Sequence, residues 1–149
     1  MKVRRVHDGL YLANATVLLT HQMDAAYWHE WELFGLPGGL QLYLLMNLPI
    51  VWVVLSGARA GARAQAQEGR SGLAHSWLLV GAGLFAAGFH GVHLLRGSEA
   101  FLLPVSLGLL AATLLLSTAQ AATLRMLRQQ ARSSSVPGPG WTGPGTRAK

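Results

Sequence analysis

The chain has 149 residues, of which 51% are hydrophobic and only 12% are charged. This composition is too apolar for an ordinary soluble domain, and the length leaves no room for a soluble domain beside membrane-crossing helices. The formal charge of +6 comes from Lys and Arg residues that flank apolar segments, so we do not expect a nucleic-acid partner. The absence of cysteine excludes disulfides, thiolate metal sites and thiol catalysis.

Apolar stretches with about the length of helix that crosses a bilayer dominate the sequence. The four stretches cover approximately residues 10–28, 40–55, 73–95 and 101–124. We therefore predict an all-α fold, a four-helix transmembrane bundle over residues 1–128. The segment 133–149 is rich in Ser, Pro and Gly and is predicted to be a disordered tail.

The Lys and Arg residues fall almost entirely on one side of the four predicted helices. Only Arg96 lies in a connection on the other side. The positive-inside rule then predicts that both termini are cytoplasmic and that the protein is a multi-pass protein of the inner (plasma) membrane. The lipid bilayer is its first predicted partner, and a membrane-protein partner or a homo-oligomer stays open.

Ionisable residues are costly inside a membrane, and here they gather at one depth. His21 and Asp24 lie in the outer half of the first predicted helix, and His90 and His93 lie in the outer half of the third. The members of each pair are three positions apart, so their side chains share a helix face. The sequence therefore predicts a polar cluster just below the outer interface.

The loop after the first predicted helix adds two carboxylates to this region. If that helix continues at about 100° per residue, Glu32 returns to the face of His21, whereas Glu30 points nearly opposite. We therefore add Glu32 to the candidate site and interpret Glu30 as an interfacial bystander.

Histidine and carboxylate side chains together form a normal ligand set for a divalent metal such as zinc or iron. The first hypothesis is thus a metal site near the outer membrane face, with the ligands His21, Asp24, His90, His93 and Glu32. Bound zinc would favour hydrolysis and bound iron would favour oxidation, so the sequence leaves open whether the protein is an enzyme.

Two other interpretations of the cluster stay open. In one, the protein is a non-enzymatic membrane scaffold or subunit, and the cluster is an interhelical hydrogen-bond clasp. In the other, haem binds one axial histidine from each of the first and third helices, and the protein is a small electron carrier. The haem hypothesis ranks below the metal hypothesis because it leaves Asp24 without a role.

Polar residues outside the cluster receive simpler interpretations. Asn14 is predicted to form an interhelical hydrogen bond. Ser106 and Ser117 are predicted to bond back to their own helix, and His7 is assigned to an exposed N-terminus.

The segment 20–40, THQMDAAYWHEWELFGLPGGL, resembles the signature of a family of small bacterial four-span membrane proteins of unknown function. It is more loosely similar to the HXXEE-motif membrane proteins, in which an acidic residue follows a histidine by three positions and a Pro-Gly turn comes later. His21, Asp24, Pro37 and Gly38 match that pattern, whereas Ala25 replaces the second glutamate. The resemblance implies a four-helix membrane fold up to about residue 128, and no activity or cofactor.

Overall fold

The computed structural model describes residues 2–67, 73–99 and 101–133, and the side chains within those ranges except for residues 63–67. The described residues form helices and no strand, which confirms the predicted all-α fold. The helices are α1 (Lys2–Tyr27), α2 (Glu30–Leu33), α3 (Gly39–Gln67), α4 (Leu73–Leu95) and α5 (Pro104–Ser133). The predicted disordered tail lies outside the described residues, apart from Ser133.

The four long helices run in alternating directions and form one bundle. The most extensive contact joins α1 to α5, and α4 lies along the other side of α5. Helix α3 packs against α1 and α4, opposite α5. Helices α1 and α4 also touch across the bundle. The first and third predicted helices therefore share an interface, which is the arrangement that the predicted polar cluster requires.

The C-terminal end of α4 and the N-terminal end of α5 are both determined by the local sequence. Helix α5 begins at Pro104, where a missing backbone N–H leaves no donor unpaired. Helix α4 ends at Leu95, and two residues later Gly97 adopts a φ of 83°. This backbone lets the N–H of Gly97 donate to the carbonyl of Leu94 at 3.0 Å, and the N–H of Ser98 donate to the carbonyl of His93 at 3.1 Å. The pattern is a Schellman motif, which pairs two of the last free carbonyls of α4.

In the part of the chain that the structure describes, three helices, and not the predicted four, are long and apolar enough to cross a membrane. They are Gly39–Ala62, Leu73–Leu95 and Pro104–Ser133. Helix α1 has 26 residues, a length of about 39 Å, but Asn14, His21 and Asp24 make it less apolar. The predicted first span falls short on apolarity because α1 contributes His7, Asn14 and His21 to the polar interior of the bundle.

The interior of the bundle is more polar than its surface. The buried polar side chains are His7, Asn14, His21, Glu30, Ser76, His90, Ser106, Thr113, Ser117 and Gln120. The outward faces instead carry large apolar side chains, including Leu45, Trp52, Phe85 and Leu115. This distribution is the reverse of that in a water-soluble domain, and it is typical of helices surrounded by lipid.

Amide and hydroxyl side chains join α1 to α5 halfway along the bundle. The Nδ2 of Asn14 donates to Oγ of Ser117 at 3.1 Å and to Oε1 of Gln120 at 2.8 Å. The predicted interhelical role of Asn14 is confirmed. The prediction for Ser117 was wrong, because its hydroxyl bonds across the interface instead of to its own helix.

His7 is buried, contrary to the prediction of an exposed N-terminus. Helix α1 begins at Lys2 and so carries this residue into the bundle. Its Nδ1 lies 3.0 Å from Oγ1 of Thr123 in α5, and its Nε2 lies 3.0 Å from Oγ of Ser76 in α4. One imidazole therefore connects three helices at the end of the bundle that is opposite the predicted site.

Gly83 allows α4 to approach α5 closely. A Cβ at this position would overlap Oγ of Ser117 and lie 3.2 Å from Cγ2 of Thr113. We expect Gly83→Ala to lower the free energy of unfolding by about 1–3 kcal/mol, because the added methyl overpacks a closed interface. Thermal unfolding in detergent, followed by tryptophan fluorescence, measures the change.

Gly81→Ala is the matched control on the same helix. A Cβ at Gly81 meets no atom within 4 Å. We expect this variant to be as stable as the parent, or more stable by up to about 1 kcal/mol, because alanine favours the helix. Equal losses of stability in the two variants would contradict the close packing of α4 on α5.

Candidate functional site

The chain turns sharply where α1 ends, and this turn decides which carboxylate enters the bundle. Helix α1 stops at Tyr27, and His29 adopts the left-handed conformation with φ 53° and ψ 46°. A short helix, α2, then begins at Glu30. Because the helix is interrupted, residues after His29 no longer follow the angular spacing that starts from His21.

The predicted positions of the two loop carboxylates are therefore reversed. The side chain of Glu30 is only 9% exposed and lies against α4. The side chain of Glu32 is 70% exposed, with its Oε1 3.9 Å from Nδ1 of the equally exposed His29. Glu30 thus belongs to the candidate site, and Glu32 faces away from it.

Three ionisable side chains from three helices meet inside the end of the bundle at which α1 ends. His21, Glu30 and His90, which we call the buried cluster, come from α1, α2 and α4. The imidazole centroids of His21 and His90 are 4.9 Å apart, with their planes 84° apart. The Oε1 of Glu30 lies 3.0 Å from Nε2 of His90, which is ion-pair distance, although the two groups are not aligned as a hydrogen bond.

Helix α3 contributes a tyrosine that holds the carboxylate from the other side. The hydroxyl of Tyr43 donates to Oε1 of Gln22 at 2.7 Å and lies 3.3 Å from Oε2 of Glu30. The same hydroxyl is 3.1 Å from the backbone carbonyl of Gln22. The carboxylate of Glu30 is therefore placed between α3 and α4.

Asp24 lies beside the buried cluster but turns toward α5. The Oγ of Ser106 donates to Oδ1 of Asp24 at 2.8 Å, and Nε1 of Trp28 donates to the same Oγ at 3.2 Å. The prediction that Ser106 bonds back to its own helix was therefore wrong. These contacts join the end of α1 to the start of α5.

His93 lies outside the buried cluster. Three positions after His90, its side chain is rotated by about 60° around α4. It is half-buried at the surface, with its ring 4.5 Å from that of Phe89. Of the five predicted ligands, the structure brings together His21 and His90, places Asp24 nearby, and leaves His93 and Glu32 elsewhere.

Phe101 closes the side of the buried cluster. Its ring is 4.1 Å from that of His90 and 5.8 Å from that of His21, and the residue is 1% exposed. Its φ of 67° is costly for a residue other than glycine, so the surrounding packing must hold it there. A haem between the two imidazoles would need a flat space, and the ring of Phe101 packs against both of them.

Several polar atoms of this region have no hydrogen-bond partner among the described residues. They include Nδ1 of His21, Nδ1 of His90 and Oδ2 of Asp24. Unpaired buried atoms of this kind point to water or another bound group. The described residues contain no group of three or more His, Asp or Glu side chains arranged to hold a metal ion.

The sequence matches the DUF6713 family, described as a family of unknown function, over residues 7–127. This finding confirms the resemblance to an uncharacterised family. The likeness to HXXEE-motif proteins and the bacterial origin stay predictions. No curated protein and no solved structure matches the chain.

The difference in burial between Glu30 and Glu32 gives a direct test of the site. We expect Glu30→Ala to lower the free energy of unfolding by about 1–3 kcal/mol, because it removes the carboxylate that lies at ion-pair distance from the buried His90. Glu32→Ala, the matched control, should change the stability by less than about 0.5 kcal/mol, since its side chain is exposed. Thermal unfolding in detergent measures both, and a larger loss for Glu32→Ala would contradict this geometry.

Proposed function

The chain belongs to the DUF6713 family, and we propose that it is an integral membrane protein in which all four long helices cross the bilayer. Helices α3, α4 and α5 are long and apolar enough for this role. We add α1 as a fourth membrane-crossing helix, although its average hydropathy alone does not favour this.

The outward face of α1 supports its placement in the bilayer. Leu12 and Met23 are 58% and 74% exposed on this face. Thr16 and Thr20 lie on it too, and their hydroxyls donate to the carbonyls of Leu12 and Thr16, both at 2.9 Å. Hydroxyls that bond to their own helix need no partner from the lipid. The polar residues that lower the hydropathy of α1 are directed into the bundle.

The distribution of charge supports one orientation of the four helices. Within the described residues, every Lys and Arg except Arg96 lies near the end of the bundle that holds the N-terminus of α1 and the C-terminus of α5. The positive-inside rule places that end in the cytoplasm and the buried cluster near the outer face of the plasma membrane.

Within this membrane protein, the buried cluster acts as a clasp, and the protein is a non-enzymatic scaffold or subunit. The single observation that supports this function is the position of Glu30, 3.0 Å from His90 and 3.3 Å from the hydroxyl of Tyr43. The contacts of Asp24, Trp28 and Ser106 add α1 and α5. The buried cluster and these neighbouring contacts together connect the turn after α1 to all four long helices. A scaffold that binds other membrane proteins needs such a fixed arrangement of its helices.

A second candidate function is a divalent-metal site, and the unpaired nitrogens favour it. The Nδ1 atoms of His21 and His90 are buried without a hydrogen-bond partner among the described residues, and a carboxylate lies beside them. Zinc or iron accepts such a ligand set. Compared with the ligand set predicted from the sequence, this metal site contains Glu30 in place of Glu32 and His93. Metal binding would require the three side chains to converge further than they do here.

A double-mutant cycle tests the clasp. We expect Glu30→Ala and His90→Ala to be non-additive, with an interaction energy of about 0.5–3 kcal/mol, because each variant already breaks the same contact. The cycle subtracts the loss of stability that is caused by the cavity in each single variant, so that the interaction between the two side chains remains. Additive losses of stability, measured by thermal unfolding in detergent, would overturn the clasp.

Elemental analysis separates the second candidate from the first. The purified protein is loaded with zinc or ferrous iron and washed, beside His21→Ala and the control His93→Ala. A metal site predicts stoichiometric metal that is lost in His21→Ala and kept in His93→Ala. Absence of stoichiometric metal from the parent protein, together with a non-additive cycle, would leave the clasp alone.

A further inference from the structure

The outward face of α4 carries a groove that the buried cluster does not use. The groove has a volume of about 410 Å³ and opens to the surroundings of the bundle. Its lining changes from apolar to polar along the helix: Phe85, Gly88, Phe89 and Val92 first, then His93 and Arg96. The polar end coincides with the last turn of α4.

The order of these groups along α4 matches that of a phospholipid. Phe85 and Arg96 are eleven positions apart, a rise of about 16 Å along the helix. Arg96 follows the last residue of α4, which places its guanidinium at headgroup depth and Phe85 at the depth of the acyl chains. This reading of depth rests on the proposed crossing of the membrane.

Phe85 and Phe89 form an aromatic wall of the groove, and the ring of Phe34 stacks against them from outside the lining. The ring of Phe34, from the turn after α2, lies 4.3 Å from that of Phe89 and is nearly parallel to it. The rings of Phe85 and Phe89 are 5.9 Å apart with a similar tilt. The groove has space at its floor because Gly88 has no side chain, and a Cβ there would meet no atom within 4 Å. A smooth aromatic wall beside such a channel suits an extended acyl chain.

The charge at the polar end selects an anionic headgroup. Arg96 is exposed, and its guanidinium has no ion-pair partner among the described residues. Guanidinium groups bind phosphate through two parallel hydrogen bonds, and the imidazole of His93 lies on the same side of α4 as a second polar group. Arg96 is also the only Lys or Arg residue on its side of the predicted bundle.

We infer that this groove is a binding site for one anionic phospholipid of the outer leaflet, with the phosphate at Arg96 and an acyl chain along Phe85, Gly88 and Phe89. A zwitterionic lipid of the same chain length fits the apolar part equally well. It carries its own ammonium group beside the phosphate, which weakens the attraction to Arg96. The site therefore distinguishes lipids by headgroup charge.

Native mass spectrometry of the full chain in detergent tests this site. Phosphatidylglycerol and phosphatidylcholine with identical acyl chains are added in equal amounts, and the retained lipid is counted. We expect the parent protein to retain phosphatidylglycerol about fivefold more strongly, and Arg96→Gln to lose that preference. Arg96→Lys should keep most of it, because the charge remains.

Two control variants make the result specific. Arg125→Gln removes one charge from an exposed position at the other end of the bundle, and it should keep the preference of the parent. Gly88→Leu fills the groove and should lower retention of both lipids. Gly108→Leu adds the same side chain to an open, exposed position on α5, and it should change neither.

Some outcomes overturn the site, and one overturns the membrane placement as well. Unchanged preference in Arg96→Gln, an equal loss in Arg125→Gln, or equal effects of the two leucine variants would overturn the lipid site alone. Release of the parent protein from membranes by alkaline carbonate would overturn the crossing helices and the lipid site together.

Discussion

A hydrocarbon core offers no hydrogen-bond partner, so each polar side chain in a membrane helix must find one within the protein. If α1 crosses the bilayer as we propose, that constraint accounts for its packing. Its polar residues face α4 and α5, where His7, Asn14 and Asp24 each meet a hydroxyl or an amide. The apolar residues of α1 are left on the outer surface. The interface between α1 and α5 is the most extensive among the described helices, and hydrogen bonds of His7, Asn14 and Asp24 cross it.

The arrangement of the buried cluster depends on a single backbone turn. The left-handed conformation of His29 stops α1 and directs Glu30 inward, where the carboxylate meets His90 and Tyr43. Without that turn, a continuous helix would present Glu32 to the interior and send Glu30 outward. The buried cluster is therefore produced jointly by the helices and by the loop between α1 and α3.

Much of this arrangement could be predicted from the sequence, because apolar length and the spacing of polar residues reflect helices directly. The shared depth of His21 and His90 follows from counting residues along two helices, and the structure places the two rings together. The position of Glu30 could not be predicted, since it depends on a positive φ at a histidine, where neither glycine nor asparagine marks a turn. The membrane-crossing potential of α1 was also hard to judge, because hydropathy averages its polar inner face with its apolar outer face.

The central claim is that α1 crosses the bilayer with its polar face inward, and site-directed spin labelling tests it most directly. The chain has no cysteine, so a single cysteine at Leu12, Thr16 or Met23 carries the only label. In lipid vesicles, we predict that all three labels collide more often with oxygen, which concentrates in the bilayer, than with a water-soluble nickel chelate. Labels on α1 that collide mainly with the nickel chelate would contradict the crossing, and would place α1 in water beside three membrane helices.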